Sequence, residues 1–239
     1  MIVNQFTPPD FAELERMITG DMPGDVVQIK PSHIAKARVI IPHLLALLQP
    51  ILAGRPESKA VVAVHGGSGV GKSETGSVLS WYLKNQGIGS YVLSGDNYPR
   101  RIPSQNDQER FRVFREAALK GLVNAGEYSP DRNLQLWRLQ VENRDYDPSA
   151  VDEFPWLTVY QTAGRQGLKE YLGTSCEIDF AELSKIIKKF KQGKSLIWLK
   201  RMGRHEKELW YDAVDFSEIS VLLIEWTHGN NPELAGVDI

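Results

Sequence analysis

Cysteine is almost missing from this chain. Cys176 is the single one in 239 residues, so no disulfide can form within the chain, and a reducing, cytoplasmic setting is expected. An excess of one charge is missing too. Lys and Arg number 28 against 30 Asp and Glu, a formal net charge of −2. That balance offers no electrostatic reason to expect nucleic acid or an acidic membrane as partner, so any basic site must be local. The first ten residues hold no basic stretch followed by an apolar core, and no signal peptide is expected. The longest apolar stretch, residues 39–52, is interrupted by His43, Gln49, Pro42 and Pro50, which argues against a membrane span. Internal repeats and low-complexity tracts are absent. So is an Asn-Lys-x-Asp guanine motif, which leaves a GTPase reading poor.

What is present is an ordinary globular balance, with 42% apolar and 24% charged residues, enough for one large α/β domain with an appendage. Residues 1–58 read as a helical preface. Ser32 is placed to cap a helix carrying Ile34, Ile41, Leu44, Leu45, Leu48 and Ile51 near helical spacing. Pro42 is expected to kink or split that helix, and Gly54 and Pro56 to mark a break after it. Short apolar runs then alternate with helices. Residues 60–64 are a β-branched-rich run, as in a strand buried on both faces. A helix is predicted over residues 72–86 with Val78, Leu79, Tyr82 and Leu83 inward, and a second strand over residues 90–93.

Helices are also predicted over residues 108–123, from a Ser129-Pro130 cap through Leu134, Trp137 and Val141, and over residues 159–172. Asp179 should cap a further helix bearing Leu183, Ile186, Ile187 and Phe190. Residues 195–199 and 208–211 suit a small ribbon, and residues 221–225 a last strand ending in a carboxylate. Such alternation favours a doubly wound sheet.

The chemistry concentrates in Gly66-Gly67-Ser68-Gly69-Val70-Gly71-Lys72-Ser73, a full G-x-x-x-x-G-K-[ST] pattern between a strand and a helix. Glycines let consecutive backbone N–H groups crowd around anionic oxygens with no side chain in the way. The helix that follows, opened by Lys72, Ser73 and Glu74, points its unpaired N–H groups and positive dipole end at the same anion. Lys72 supplies a mobile charge to the β- and γ-phosphates, and the Ser73 hydroxyl can join a magnesium shell. The ligand implied is a purine nucleoside triphosphate, ATP with Mg²⁺.

Ligands of open parallel sheets sit at the carboxyl ends of the strands. Asp96 follows the second predicted strand, and Glu225 ends the last. A carboxylate beside a γ-phosphate can take the proton of an attacking hydroxyl or hold magnesium. The plain alternatives are a turn aspartate and a solvated strand end.

The glycine loop, the turn Ser94-Gly95-Asp96-Asn97-Tyr98 and the stretch from Asp179 to Glu225 together resemble the uridine kinase and phosphoribulokinase family of P-loop kinases. The resemblance covers about two thirds of the chain in separated blocks. It includes Asp179-Phe180, Leu183 and Lys191-Gln192-Gly193. It implies an α/β, P-loop NTPase three-layer sandwich with a mostly parallel sheet, a helical N-terminal extension (1–58) and a small insertion within a kinase domain (59–239). It also implies Asp96 as base, and Ser73, Asp96 and Glu225 around the metal. Trp226 departs from that family's Glu-Gly, and Leu199-Lys200-Arg201 stands where a Pro-x-Tyr-Asp motif is usual, which speaks against uridine or cytidine as acceptor. A local resemblance to adenylylsulfate kinase competes in Val92-Leu93-Ser94-Gly95-Asp96-Asn97, with Ser94 in place of an aspartate.

Tyr98, Arg100 and Arg101 follow the candidate base, and the arginines suit an anionic acceptor such as a sugar phosphate. Arg201, Arg204 and His205, in an expected ribbon turn, and His228 are weaker candidates. Lys185, Lys188, Lys189, Lys191 and Lys194 read as a solvated face. Trp81, Trp137, Trp198 and Trp210 read as packing residues. Three functions remain open: a kinase acting on a nucleoside, sugar or sugar phosphate, with adenylylsulfate kinase beside it; a nucleotide-driven switch; and a binding protein without turnover. In the kinases it resembles, the final segment leads on to another core strand and an arginine-bearing lid, which residues 234–239 do not reach. The expectation is that the sequence is a fragment; the alternative is a lid from elsewhere, such as another subunit of a homo-oligomer.

Overall fold

The structure is a computed structural model that describes residues 21–24, 27–54, 58–205 and 207–239. The expectations for residues 1–10 and for Pro56 lie outside the described residues. The chain divides into two compact units, one made of residues 1–100 and 178–239 and the other of residues 101–177.

The first unit is built on three parallel strands, β1 (Ala60–Val64), β2 (Ser90–Ser94) and β5 (Val221–Glu225), in the order β1-β5-β2. Val64 and Ser94 both stand in register with Glu225, so the three carboxyl ends lie side by side. Strand alternation separates two cores. Val61, Leu222 and Ile224 face one side with α7 (Phe180–Lys191), whose Leu183, Ile186, Ile187 and Phe190 are buried as their spacing predicts. Ala60, Val62, Val221 and Leu223 face the other side with α1 (Pro31–Leu52) and α2 (Lys72–Asn85). The result is α/β, with helices on both faces of a parallel sheet. At the outer edge of β1, the Ile239 N–H donates to the Val61 carbonyl and the Ala63 N–H to the Ile239 carbonyl, which is a parallel ladder step.

Three expectations need correction here. Ser32 lies inside α1, and Lys30 is its N-cap. Pro42 and Pro50 sit within that helix without splitting it. Each forfeits one N–H, and the burial of Ala37, Ile41, Leu44, Leu45 and Leu48 carries the helix through. By length and mean hydropathy α1 is long and apolar enough to cross a membrane; here its buried face lies on the sheet. Arg201, expected in a turn, lies in strand β3 (Leu196–Met202), which pairs antiparallel with β4 (Leu209–Asp215) as the predicted ribbon.

The second unit is helical: α3 (Pro103–Asn124), α4 (Pro130–Val141), α5 (Ala150–Glu153) and α6 (Leu157–Tyr171). The α3 start precedes the predicted one because Pro103 begins the helix ahead of its first apolar periodic residue. Ser129 caps α4 by accepting from the Arg132 N–H. Trp137, expected as a packing residue, lies on the outer face of α4. Leu134, Trp137 and Val141 are exposed, and Leu136 and Leu139 are buried with Phe114, Leu157 and Tyr160. Trp198 and Trp210, also expected inside, are exposed on the ribbon.

Candidate functional site

The glycine loop joins β1 to α2. Gly69 and Gly71 adopt φ of +73° and +84°, a left-handed backbone that favours glycine and turns successive N–H groups to one side. Lys72 begins α2, with Ser73 and Glu74 in its first turn. The α2 residues Thr75 and Ser77 bond back to the carbonyls of Gly71 and Ser73. The Lys72 ammonium donates to the Gly67 carbonyl at 3.0 Å and stands 4.0 Å from Glu225 Oε1. Strand β5 delivers Glu225 to that point, because its last residue is level with the last residue of β1.

Asp96 sits in the single 3-10 turn after β2 (Gly95–Asn97). Asp96 is exposed by surface area, yet the atoms crowding its carboxyl desolvate it and raise its pKa, against the pull of Lys72, His228 and the Trp226 indole. The turn is held from beneath. Asn97 is fully buried, donates to the Asp21 carbonyl and accepts from the Met202 N–H. Asp21 in turn receives the Ser94 N–H and lies 2.9 Å from the Arg201 guanidinium, which also pairs with Asp212. Arg201, a weaker candidate for reaching substrate, is engaged by Asp21 and Asp212 instead, and Asp21 had no signal in the sequence because its partners lie 70 or more residues away.

Trp226 explains the short residue at Gly95. A Cβ on Gly95 would lie 2.1 Å from Trp226 Cγ. The indole therefore covers the turn carrying Asp96 while packing on Phe180 and His228, with ring centroids at 5.4 and 5.3 Å. The large residue after Glu225 and the glycine before Asp96 are complementary.

Of the remaining candidates, Tyr98 is fully buried in the core of the first unit, and its side chain offers no surface to a ligand. Arg100 pairs with Asp179 at 3.4 Å on the surface of that unit. Arg101 belongs to the helical unit, where it donates to the Tyr171 hydroxyl and the Cys176 carbonyl and pairs with Glu109 at 3.6 Å. Arg204 and His205 are exposed, and their N–H groups bond to Glu208. Among the described residues no three His, Cys, Asp or Glu side chains converge as a metal cage. Ser73, Asp96 and Glu225 instead offer hard oxygen donors of the kind that hold magnesium when phosphates and water complete its shell. Chemically the strand ends combine a glycine-rich loop opening a helix, a cation and two carboxylates.

No family model matches the chain, and no solved structure matches it. Over 186 residues the chain is 37% identical to the bifunctional alpha-galactosidase/sucrose kinase AgaSK of Mediterraneibacter gnavus, a match covering 78% of this chain and 15% of that protein. The chain therefore spans only a small part of that relative's length.

Proposed function

We propose that this chain is an ATP-dependent sugar kinase, transferring the γ-phosphoryl group of Mg-ATP to a hydroxyl of sucrose or a similar carbohydrate. The observation that carries this reading is the meeting of Lys72, Asp96 and Glu225 at the aligned ends of β1, β2 and β5, beside the glycine loop. The sugar comes from the sucrose kinase in the name of the 37% identical relative. In this reading the chain is a P-loop kinase domain. Its exposed Cys176 suits a reducing compartment.

The loop N–H groups and Lys72 bind the β- and γ-phosphates. Ser73 and Glu225, with Asp96 nearby, are the residues to hold magnesium, which supplies charge neutralisation to the phosphates. Asp96 accepts the proton of the acceptor hydroxyl as its oxygen bonds to the γ-phosphorus and the bond to ADP breaks. A carboxyl whose pKa is raised by desolvation is a better proton acceptor than an ordinary aspartate once ionised. Trp226 shields one side of the Asp96 turn and limits water there.

The test is ADP release coupled to sucrose, hexoses, sugar phosphates, nucleosides and adenylylsulfate. Sugar-dependent ADP release is expected. Release driven by adenylylsulfate would transfer the reading to that kinase family, and release without any acceptor would make the protein a nucleotide switch.

A further inference from the structure

We infer that the first two turns of α1 are part of the nucleotide site, with Lys36 and His33 as positioning residues that hold the glycine loop in its phosphate-binding shape. The inference rests on the nucleotide-binding part of the proposed function. A loop that turns its N–H groups towards an anion must turn carbonyls outward, and those carbonyls need partners. The Lys36 ammonium donates to the Val70 carbonyl at 2.6 Å. That carbonyl shares a peptide unit with the Gly71 N–H. A planar trans peptide points the two in opposite directions, so fixing the oxygen outward fixes the Gly71 N–H inward.

His33, one turn before Lys36, secures the same residue from the side. A Cβ on Gly71 would lie 2.8 Å from His33 Cδ2 and Nε2, so the imidazole occupies the space beside Gly71. His33 is itself held by the Lys30 N–H, which donates to its Nδ1 at 3.1 Å. The rest of α1 is anchored through Ala37, Ile41, Leu44, Leu45 and Leu48 in the core shared with α2 and the sheet. The helix therefore braces the loop from a rigid base, which lowers the ordering cost of binding phosphate. Lys36 is exposed, and nothing in the core depends on its charge.

Calorimetric titration of the full chain with Mg-ADP and a non-hydrolysable ATP analogue, with the thermal midpoint measured without nucleotide, tests this. Lys36→Met is expected to bind both nucleotides about tenfold more weakly, the effect of losing one charge-assisted hydrogen bond. Its midpoint without nucleotide should be unchanged, and Lys36→Arg should restore the affinity. His33→Ala should weaken binding in the same direction. Equal affinity in Lys36→Met and the parent overturns the inference and leaves the proposed function standing. A loss that follows a fallen midpoint, or that Lys36→Arg does not rescue, overturns it as well. A parent chain that binds neither nucleotide overturns the proposed function and this inference together.

Discussion

At the strand ends of the first unit, Lys72 stands at the outer limit of ion-pair distance from Glu225, and Asp96 is surface-accessible. In the helical unit, Arg110 and Arg115 are committed to carboxylates. Arg110 donates to buried Glu177 through two nitrogens, and Arg115 bonds both oxygens of fully buried Asp145. Tyr160 and Arg115 satisfy the Asp145 carboxylate together. Both units contain ionisable clusters, and their geometry separates them. Carboxylates buried against two guanidinium nitrogens at short distance hold a fold; a cation and carboxylates gathered beside a glycine-rich loop suit a ligand. Charged residues in the sequence therefore mean little until their partners are known.

The largest effect that would break this contrast is at Asp96. Asp96→Asn is expected to lower sugar phosphorylation about 10²–10⁴-fold, the usual contribution of a positioned base, with ADP affinity kept. Retained turnover in a coupled assay would remove Asp96 from the chemistry. The same group predicts the pH profile. Asp96 acts when ionised, and its pKa is raised by desolvation. The acid limb of kcat should therefore lie above the ordinary aspartate range, with activity falling as pH falls through it. Lys72 pulls this pKa down, so Lys72→Met should move any residual acid limb upward.

In the helical unit, Arg115→Met leaves Asp145 buried without its guanidinium and should destabilise that unit by about 3–5 kcal/mol, read by denaturant unfolding. A smaller loss would mean the pair is less committed than its geometry indicates. Gly95→Ala pushes a methyl into Trp226 and should cost about 1–3 kcal/mol, with kcat falling because the turn holding Asp96 shifts. The smallest effect is expected at Arg100. Its pair with Asp179 is surface-exposed, so Arg100→Gln should change stability by less than about 1 kcal/mol. A large rise in sugar KM would place Arg100 at the acceptor after all.

Much of this was readable in advance wherever local chemistry dictates structure. The glycine loop, the Asp179 and Ser129 caps and the apolar strand 221–225 carry their own signals, and each appears where its pattern places it. Trp137 is exposed rather than packed; Leu134, Trp137 and Val141 recur at helical spacing as convincingly as Leu136 and Leu139. Only the neighbouring helices decide which stripe is buried. Trp198, opposite Ala213, and Trp210, opposite Arg201, lie on opposite faces of the two-stranded ribbon, and both are exposed there.

The amino-acid sequence by itself determined the cradle, because glycines at residues 66–71 followed by Lys72 and Ser73 dictate a backbone that turns N–H groups inward. It also placed Asp96 and Glu225 at strand ends. Tertiary structure decided that these strands are neighbours in register, that Gly95 leaves room for Trp226, and that α1 reaches the loop through Lys36 and His33. The physical reason is separation along the chain. Backbone conformation follows from adjacent residues, whereas the partners of a side chain are set by which distant segments the core brings together.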